Sequence, residues 1–229
     1  MNLVARHALG VQLGCINFAR HMRGAQLGAV NLARHVRGLQ VGGMNVAASE
    51  VRGLQLGLVN YADDADVSLG VLGITRKGGV HPQLSMGDNA LVTTAVRFDA
   101  RYNYSFVAFG VHPVGGDHSY SLGAGLGAKA NLKSEWLDFD VDLAAHAVQP
   151  WSGWRSGVPN ALFQLRAMLR LNLHRHFSVL AGPALSLLVE RDLERAVRPG
   201  FALPARELTR AGANTRVLLW PGFVIGVRL

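Results

Sequence analysis

Cysteine is almost missing from this chain: Cys15 is the only one among 229 residues, so no intrachain disulfide and no metal cluster built on several cysteines can form. Cys15 itself is read as a small packing residue. Long apolar runs are also missing. None approaches the roughly 18 residues that a membrane helix needs, and the longest clean stretch, Val217 to Val227, is too short. Charge is sparse as well, at 17% of residues against 49% hydrophobic, a balance that argues against disorder. No positively charged start followed by an apolar region precedes Leu13-Gly14-Cys15, so that triplet does not read as a lipoprotein cleavage site. An exported protein needs such a leader, and the chain is therefore read as processed, truncated or mis-started.

What is present points to strands. Glycine is abundant at 27 residues and Lys is scarce beside Arg, which suits strands and tight turns better than surface helices. The net charge of +8 is unevenly placed. The first 52 residues hold Arg6, Arg20, Arg23, Arg34, Arg37 and Arg52 against Glu50 alone. Such a segment can face nucleic acid, anionic lipid headgroups or lipopolysaccharide phosphates. No nucleic-acid motif accompanies it, so lipid is the expected partner, with Arg20, Arg23, Arg34 and Arg37 as anionic-lipid contacts. The plainer reading is that these are solvated turn arginines. No protein partner can be identified from the sequence.

An internal repeat dominates the N-terminal third. The pattern Gly-x-Gln-x-Gly-x-x-Asn-x-Ala occurs four times, its Gln at positions 12, 26, 40 and 55 and its Asn at 17, 31, 45 and 60. A worn copy follows at Ser68 and Gly70. Within each copy the apolar alternation changes phase midway, as in Leu13 and Cys15 followed by Ile16 and Phe18, and a strand cannot do that without a bulge or corner. Each repeat thus reads as two short strands joined at the second Gly, closed by a polar turn such as Ala33 to Gly38. Stacked in parallel as a β-solenoid, the rungs would place Gln12, Gln26, Gln40 and Gln55 in one amide ladder and Asn17, Asn31, Asn45 and Asn60 in another. Alternatively each repeat is one bulged strand of an antiparallel meander in a barrel wall.

From about residue 67 the pattern becomes long period-two alternation. One apolar parity runs Phe98, Ala100, Tyr102, Tyr104, Phe106, Ala108. In later strands Leu137, Phe139, Val141 and Leu143 oppose Asp138, Asp140 and Asp142, and Phe163, Leu165, Leu169 and Leu171 oppose Gln164, Arg166 and Arg170. These strands exceed the usual five or six residues and meet the roughly 9 to 11 that a tilted strand needs to cross a bilayer. Tyr102, Tyr104, Tyr120, Trp136, Trp151, Trp154 and Trp220 fall mostly near strand ends, as interfacial girdles do. The expected fold is all-β: a tandem 14-residue β-repeat over residues 1–66, solenoid-like or a bulged meander, then an antiparallel outer-membrane β-barrel over residues 67–229. The barrel takes about 8 strands, or about 12 if the repeats join the wall. Residues 149–160 and 191–213 read as long loops; Gly115-Gly116-Asp117 and Leu173-His174-Arg175 read as tight turns.

The repeats, followed by a barrel-like half, resemble the surface-repeat proteins of Gram-negative and spirochaete envelopes, strongly over residues 2–75. The resemblance implies a place in the bacterial outer membrane as a transmembrane, surface-antigen-like protein of the cell envelope. It implies an architecture more than an activity. Such barrels usually end in an aromatic residue, where Leu229 stands here.

Three functional readings follow. The first is a structural, anchoring or binding protein whose lumen is plugged by pairing of Asp138, Asp140 and Asp142 with Arg166 and Arg170 across neighbouring strands. The second is a hydrolase: His176, Ser178 and Glu190 share one parity, and their spacing resembles that of outer-membrane lipid A deacylases, in which His activates Ser and Glu orients His. Here Val179, Leu180 and Ala181 replace the polar stretch that follows that family's serine. The third is a small diffusion channel. The expectation is no enzyme, no cofactor and no metal. His7, His21 and His35 recur because the repeat recurs, and His81, His112, His118 and His146 are isolated. Gly123, Gly125 and Gly127 precede no helix, so they form no phosphate loop.

Overall fold

A computed structural model describes residues 2–88, 92–112, 119–132, 134, 136–151, 159–174, 176–191, 205–211 and 215–229. The expected turns at Gly115-Gly116-Asp117 and Arg175, Trp154, His118 and most of both long loops lie outside the described residues. The elements are all strands: β1 (Asn2–Leu13), β2 (Ile16–Leu27), β3 (Val30–Leu69), β4 (Leu72–Thr75), β5 (Val80–Gly87), β6 (Val92–Asp99), β7 (Asn103–His112), β8 (Ser119–Asn131), β9 (Leu137–Pro150), β10 (Asn160–His174), β11 (Phe177–Glu190), β12 (Arg206–Ala211) and β13 (Thr215–Arg228). Contacts divide the chain into Met1–His81 with Arg97–Phe106, and Pro82–Val96 with Val107–Leu229.

In the first unit β1 to β4 pair in parallel, copy on copy, so the repeats form a solenoid and not a meander. The register sets Asn17 on Asn31, His21 on His35 and Gln26 on Gln40. Each rung turns its Asn, its Ala, a Met or Val and its Gln inward, as in Asn17, Ala19, Met22 and Gln26, all at most 2% exposed. The segment Ala33 to Gly38, read as an open polar turn, is paired along the stack. Its corner is the repeat's first glycine: Gly24 has φ +131° and Gly38 φ +132°, a region closed to L side chains. A Cβ on Gly24 would stand 2.0 Å from the Gly10 carbonyl oxygen, so the rung above also requires glycine there.

The stack ends where the repeat wears out. Ser68 follows the Gln column and Gly73 pairs with Asn60 in place of another Asn. The segment 97–106 then closes the rung: the Asn103 side chain accepts from Ser68 N at 2.9 Å and donates to Ser68 O at 2.6 Å, as a neighbouring strand would.

The second sheet runs β11-β10-β9-β8-β7-β6-β5-β13-β12 with β11 also paired to β13, so β5 to β11 and β13 close an eight-stranded antiparallel barrel. Strand β13 pairs along its length with β11. Its other side pairs with β5 over Val224–Arg228 and with β12 over Thr215–Leu219. Between those stretches stands Pro221, which has no N–H to donate. Buried Asp88 bridges the gap, accepting from Trp220 Nε1 at 2.6 Å and from Phe223 N at 2.9 Å.

The alternation expected over 97–108 as one strand is broken. A turn with Ala100 N donating to Asn103 O at 2.9 Å splits it into β6 and β7. Beyond the turn Phe109 is exposed while Phe106 and Ala108 are buried, so the apolar parity is reversed there. Two expected girdle aromatics are interior: Trp220 on Asp88, and Tyr104, whose ring lies 3.3 Å from the Arg97 guanidinium carbon. Tyr120 is buried too, edge-on to Trp151 at 5.7 Å between centroids. Tyr102, Trp136 and Trp151 are exposed.

Candidate functional site

The barrel interior is built from the polar parity of β9 and β10. These strands pair antiparallel with Asp142 facing Arg166, Asp140 facing Met168 and Asp138 facing Arg170. Period two then sends all five charged side chains to one face. Arg166 grips Asp142 in a two-pronged pair, Nε to Oδ1 at 2.6 Å and a terminal nitrogen to Oδ2 at 3.1 Å. Arg170 bonds Asp138 at 2.7 Å and lies 3.5 Å from Asp140. On the other side of β9 the register places Lys129 opposite Asp140. Asp140, Asp142, Arg166 and Arg170 are all at most 5% exposed. Removing charges from water costs several kcal/mol per ion unless each is paired, and the pairing is what permits charge here. The void lined by Ser85, His146, Gln164 and Arg166 measures about 20 Å³, room for about one water.

Sequence reasoning missed three further interior groups. Glu190, fully buried, accepts from Arg216 Nε at 2.7 Å and from a terminal nitrogen at 2.6 Å. Arg97 donates to Asp99 at 3.0 Å while covering Tyr104. The third is Asp88 with Trp220. Arg97 and Asp99 lie two apart on one strand, whereas pairing Glu190 with Arg216 and Asp88 with Trp220 required the order of strands around the barrel.

The residues of the hydrolase reading are not brought together. Ser178 and Glu190 sit at opposite ends of unbroken β11, twelve residues or about 40 Å of extended chain apart. Ser178 is buried, donating to Asn172 Oδ1 at 2.8 Å and accepting from Arg228 at 3.5 Å. His176 is exposed. Glu190 is held by Arg216.

In the solenoid the two expected ladders form. Each Gln donates to the Gln of the preceding rung: Gln26 to Gln12 at 2.7 Å, Gln40 to Gln26 at 2.8 Å, Gln55 to Gln40 at 2.9 Å. The Asn column points the other way. Asn17 donates to Asn31, Asn31 to Asn45 and Asn45 to Asn60, each at 2.8 Å. The opposed directions offset the dipoles of the two columns.

At the charged edge His7, His21 and His35 stack with ring centroids 4.8 and 4.9 Å apart. They line a groove of about 410 Å³ that also includes Arg23, Arg37 and Glu50. Burial, followed by the charges of His7, His35, Arg20 and Arg34, lowers the His21 pKa below its ordinary 6.5. Arg20, Arg23, Arg34 and Arg37 have no carboxylate partner among the described residues. The acids lie one or two rungs further on and are taken: Asp63 by Arg76 at 3.1 Å, Asp64 by Arg101 at 2.6 Å, Asp66 by Arg52 at 3.2 Å.

Comparison of the chain with protein-family models, with curated proteins and with solved structures gives no match.

Proposed function

We propose that this chain is a bacterial outer-membrane β-barrel with a structural, anchoring or binding role, its lumen plugged by ion pairs and its repeats presented as a solenoid. The observation that carries the reading is the inverted polarity of the barrel wall. On β10 the outward Phe163, Leu165, Leu169 and Leu171 are 38–51% exposed, while inward Gln164, Arg166 and Arg170 are 4–8% exposed. Leu185, Phe223 and Ile225 extend the exposed aliphatic band on β11 and β13. Water penalises such a surface and lipid rewards it. Closure of the sheet meets the other demand of a bilayer, that no backbone edge face hydrocarbon.

The proposed partners are outer-membrane lipids, lipopolysaccharide included. The filled interior favours an anchor over a channel, since an eight-stranded barrel has only enough room for its own side chains. Fractionation of expressing cells, followed by planar-bilayer recording, tests the reading. The expected result is recovery in the membrane fraction and no stable conductance. Recovery from the aqueous phase without detergent contradicts the membrane assignment, and a large steady conductance contradicts the plugged lumen. Lipid A deacylation abolished by Ser178→Ala would establish the hydrolase reading instead.

A further inference from the structure

The solenoid is also inverted, and differently at its two edges. Around the second glycine of each repeat the outward side chains are aliphatic. Leu13 is 67% exposed, Ile16 40%, Met44 43% and Leu58 65%. The register runs these columns through the stack, Ile16 beside Val30 and Leu27 beside Val41. An aliphatic band continued over four rungs exceeds what a water-soluble monomer usually leaves bare. At the opposite edge stand the arginines, Arg23 over Arg37 and, next to the paired His21 and His35, Arg20 and Arg34, with no carboxylate partner among the described residues. Like charges stacked at the strand spacing of about 4.8 Å repel one another unless an external anion sits between them.

The two rungs that carry these arginines are therefore aliphatic at one edge and cationic at the other, the complement of an anionic lipid's acyl chain and phosphate. The dimensions agree. Ile16 to Arg20 is four residues of strand, about 13 Å, against about 15 Å for the hydrocarbon of one leaflet, half of a bilayer core. The amide ladders keep their hydrogen bonds inside the stack, as a hydrocarbon surrounding requires. Arginine can lay its stem along the aliphatic surface and lift its guanidinium to the phosphate level.

We infer that the edge at the repeats' second glycines is immersed in the acyl layer of an anionic leaflet, with Arg20, Arg34, Arg23 and Arg37 at its phosphates. The inference rests on the envelope reading above and adds a second, separate lipid contact, made by the solenoid and not by the barrel wall.

The chain carries its own probe, because Cys15 is exposed on this edge. The full-length protein is labelled at Cys15 with an environment-sensitive fluorophore and reconstituted into vesicles of phosphatidylcholine with phosphatidylglycerol. The expected result is blue-shifted emission, quenching by spin-labelled acyl chains and shielding from aqueous iodide. Arg20→Gln with Arg34→Gln should lower the ratio of inserted to free edge roughly 25-fold, about five-fold per arginine. Equal shielding in pure phosphatidylcholine overturns the role given to the arginines. A control label at Leu165→Cys, in a Cys15→Ser background, reports the barrel wall. Lipid quenching at 165 with iodide access at Cys15 overturns the inference and leaves the envelope reading standing; iodide access at both overturns the two together. Iodide protection without acyl-chain quenching, accompanied by Cys15 crosslinks between chains, overturns it in favour of a second copy.

Discussion

The solenoid and the barrel bury polar side chains by opposite means. In the parallel stack every residue meets its own copy, so an interior polar group must be able to bond to itself. Gln and Asn can, since each amide donates on one side and accepts on the other, whereas a buried Asp or Arg repeated over rungs would meet only its own sign. Among the described residues the solenoid's charge pairs fall where the repeat has worn out, as at Glu50 with Arg52 and Asp64 with Arg101. In the antiparallel barrel each strand meets a different sequence, and Asp on β9 can face Arg on β10. Neutral ladders and salt bridges thus follow from strand direction and repetition.

Breaking the barrel's ion pairs should give the largest effect. Arg166→Leu removes two charge-assisted hydrogen bonds from buried Asp142, and breaking a buried ion pair by removing one partner costs roughly 3–5 kcal/mol. Asp142→Leu combined with Arg166→Leu should recover most of that loss, which urea titration in micelles would measure. On the face proposed to meet lipid, Leu165→Arg should cost roughly 2–4 kcal/mol near the midplane and lower the yield of folded barrel in vesicles.

The ladder should respond less, and in a way the barrel cannot. Gln40→Leu removes the donor to Gln26 and the acceptor for Gln55, leaving buried amide groups unpaired at about 1–3 kcal/mol. Replacing Gln12, Gln26, Gln40 and Gln55 together with Met removes both partners of every bond and should cost less per site than the single change. Thermal melts of the two variants decide it; a four-fold larger loss for the full column would contradict the self-pairing account.

Acid should give the smallest effect. His21 titrates below 6.5 in the folded stack, so beneath that pH the unfolded chain takes up a proton that the stack resists. The contribution is present above pH 6.5 and falls away as the pH drops through it. Melting temperatures measured from pH 7.5 to 5 should decline less in His21→Gln than in the parent, with barrel signals unchanged.

The sequence made the local periods legible. A 14-residue recurrence is enough to superpose Gln on Gln, and the parity of 137–143 and 161–173 was enough to set Asp138 across from Arg170 once the two strands were taken as neighbours. What periodicity could not carry was closure. Glu190 meets Arg216, and Asp88 meets Trp220, only because β13 returns to lie between β11 and β5. The turn at 100–102 was hidden because apolar residues of one parity, Phe98 to Phe106, continue through it. Shared parity along one strand says which face and not how far, so it did not show that Ser178 and Glu190 stand at opposite ends of β11.

The most direct test of the outward-apolar, inward-polar wall is a cysteine scan of β10 in the Cys15→Ser chain, spin-labelled in vesicles. The account predicts that labels at 163, 165, 169 and 171 collide with oxygen dissolved in the acyl layer and not with a water-soluble nickel chelate, while labels at 164 and 168 collide with neither. Free access of the chelate to 163, 165, 169 and 171 would place that wall in water and contradict the membrane barrel.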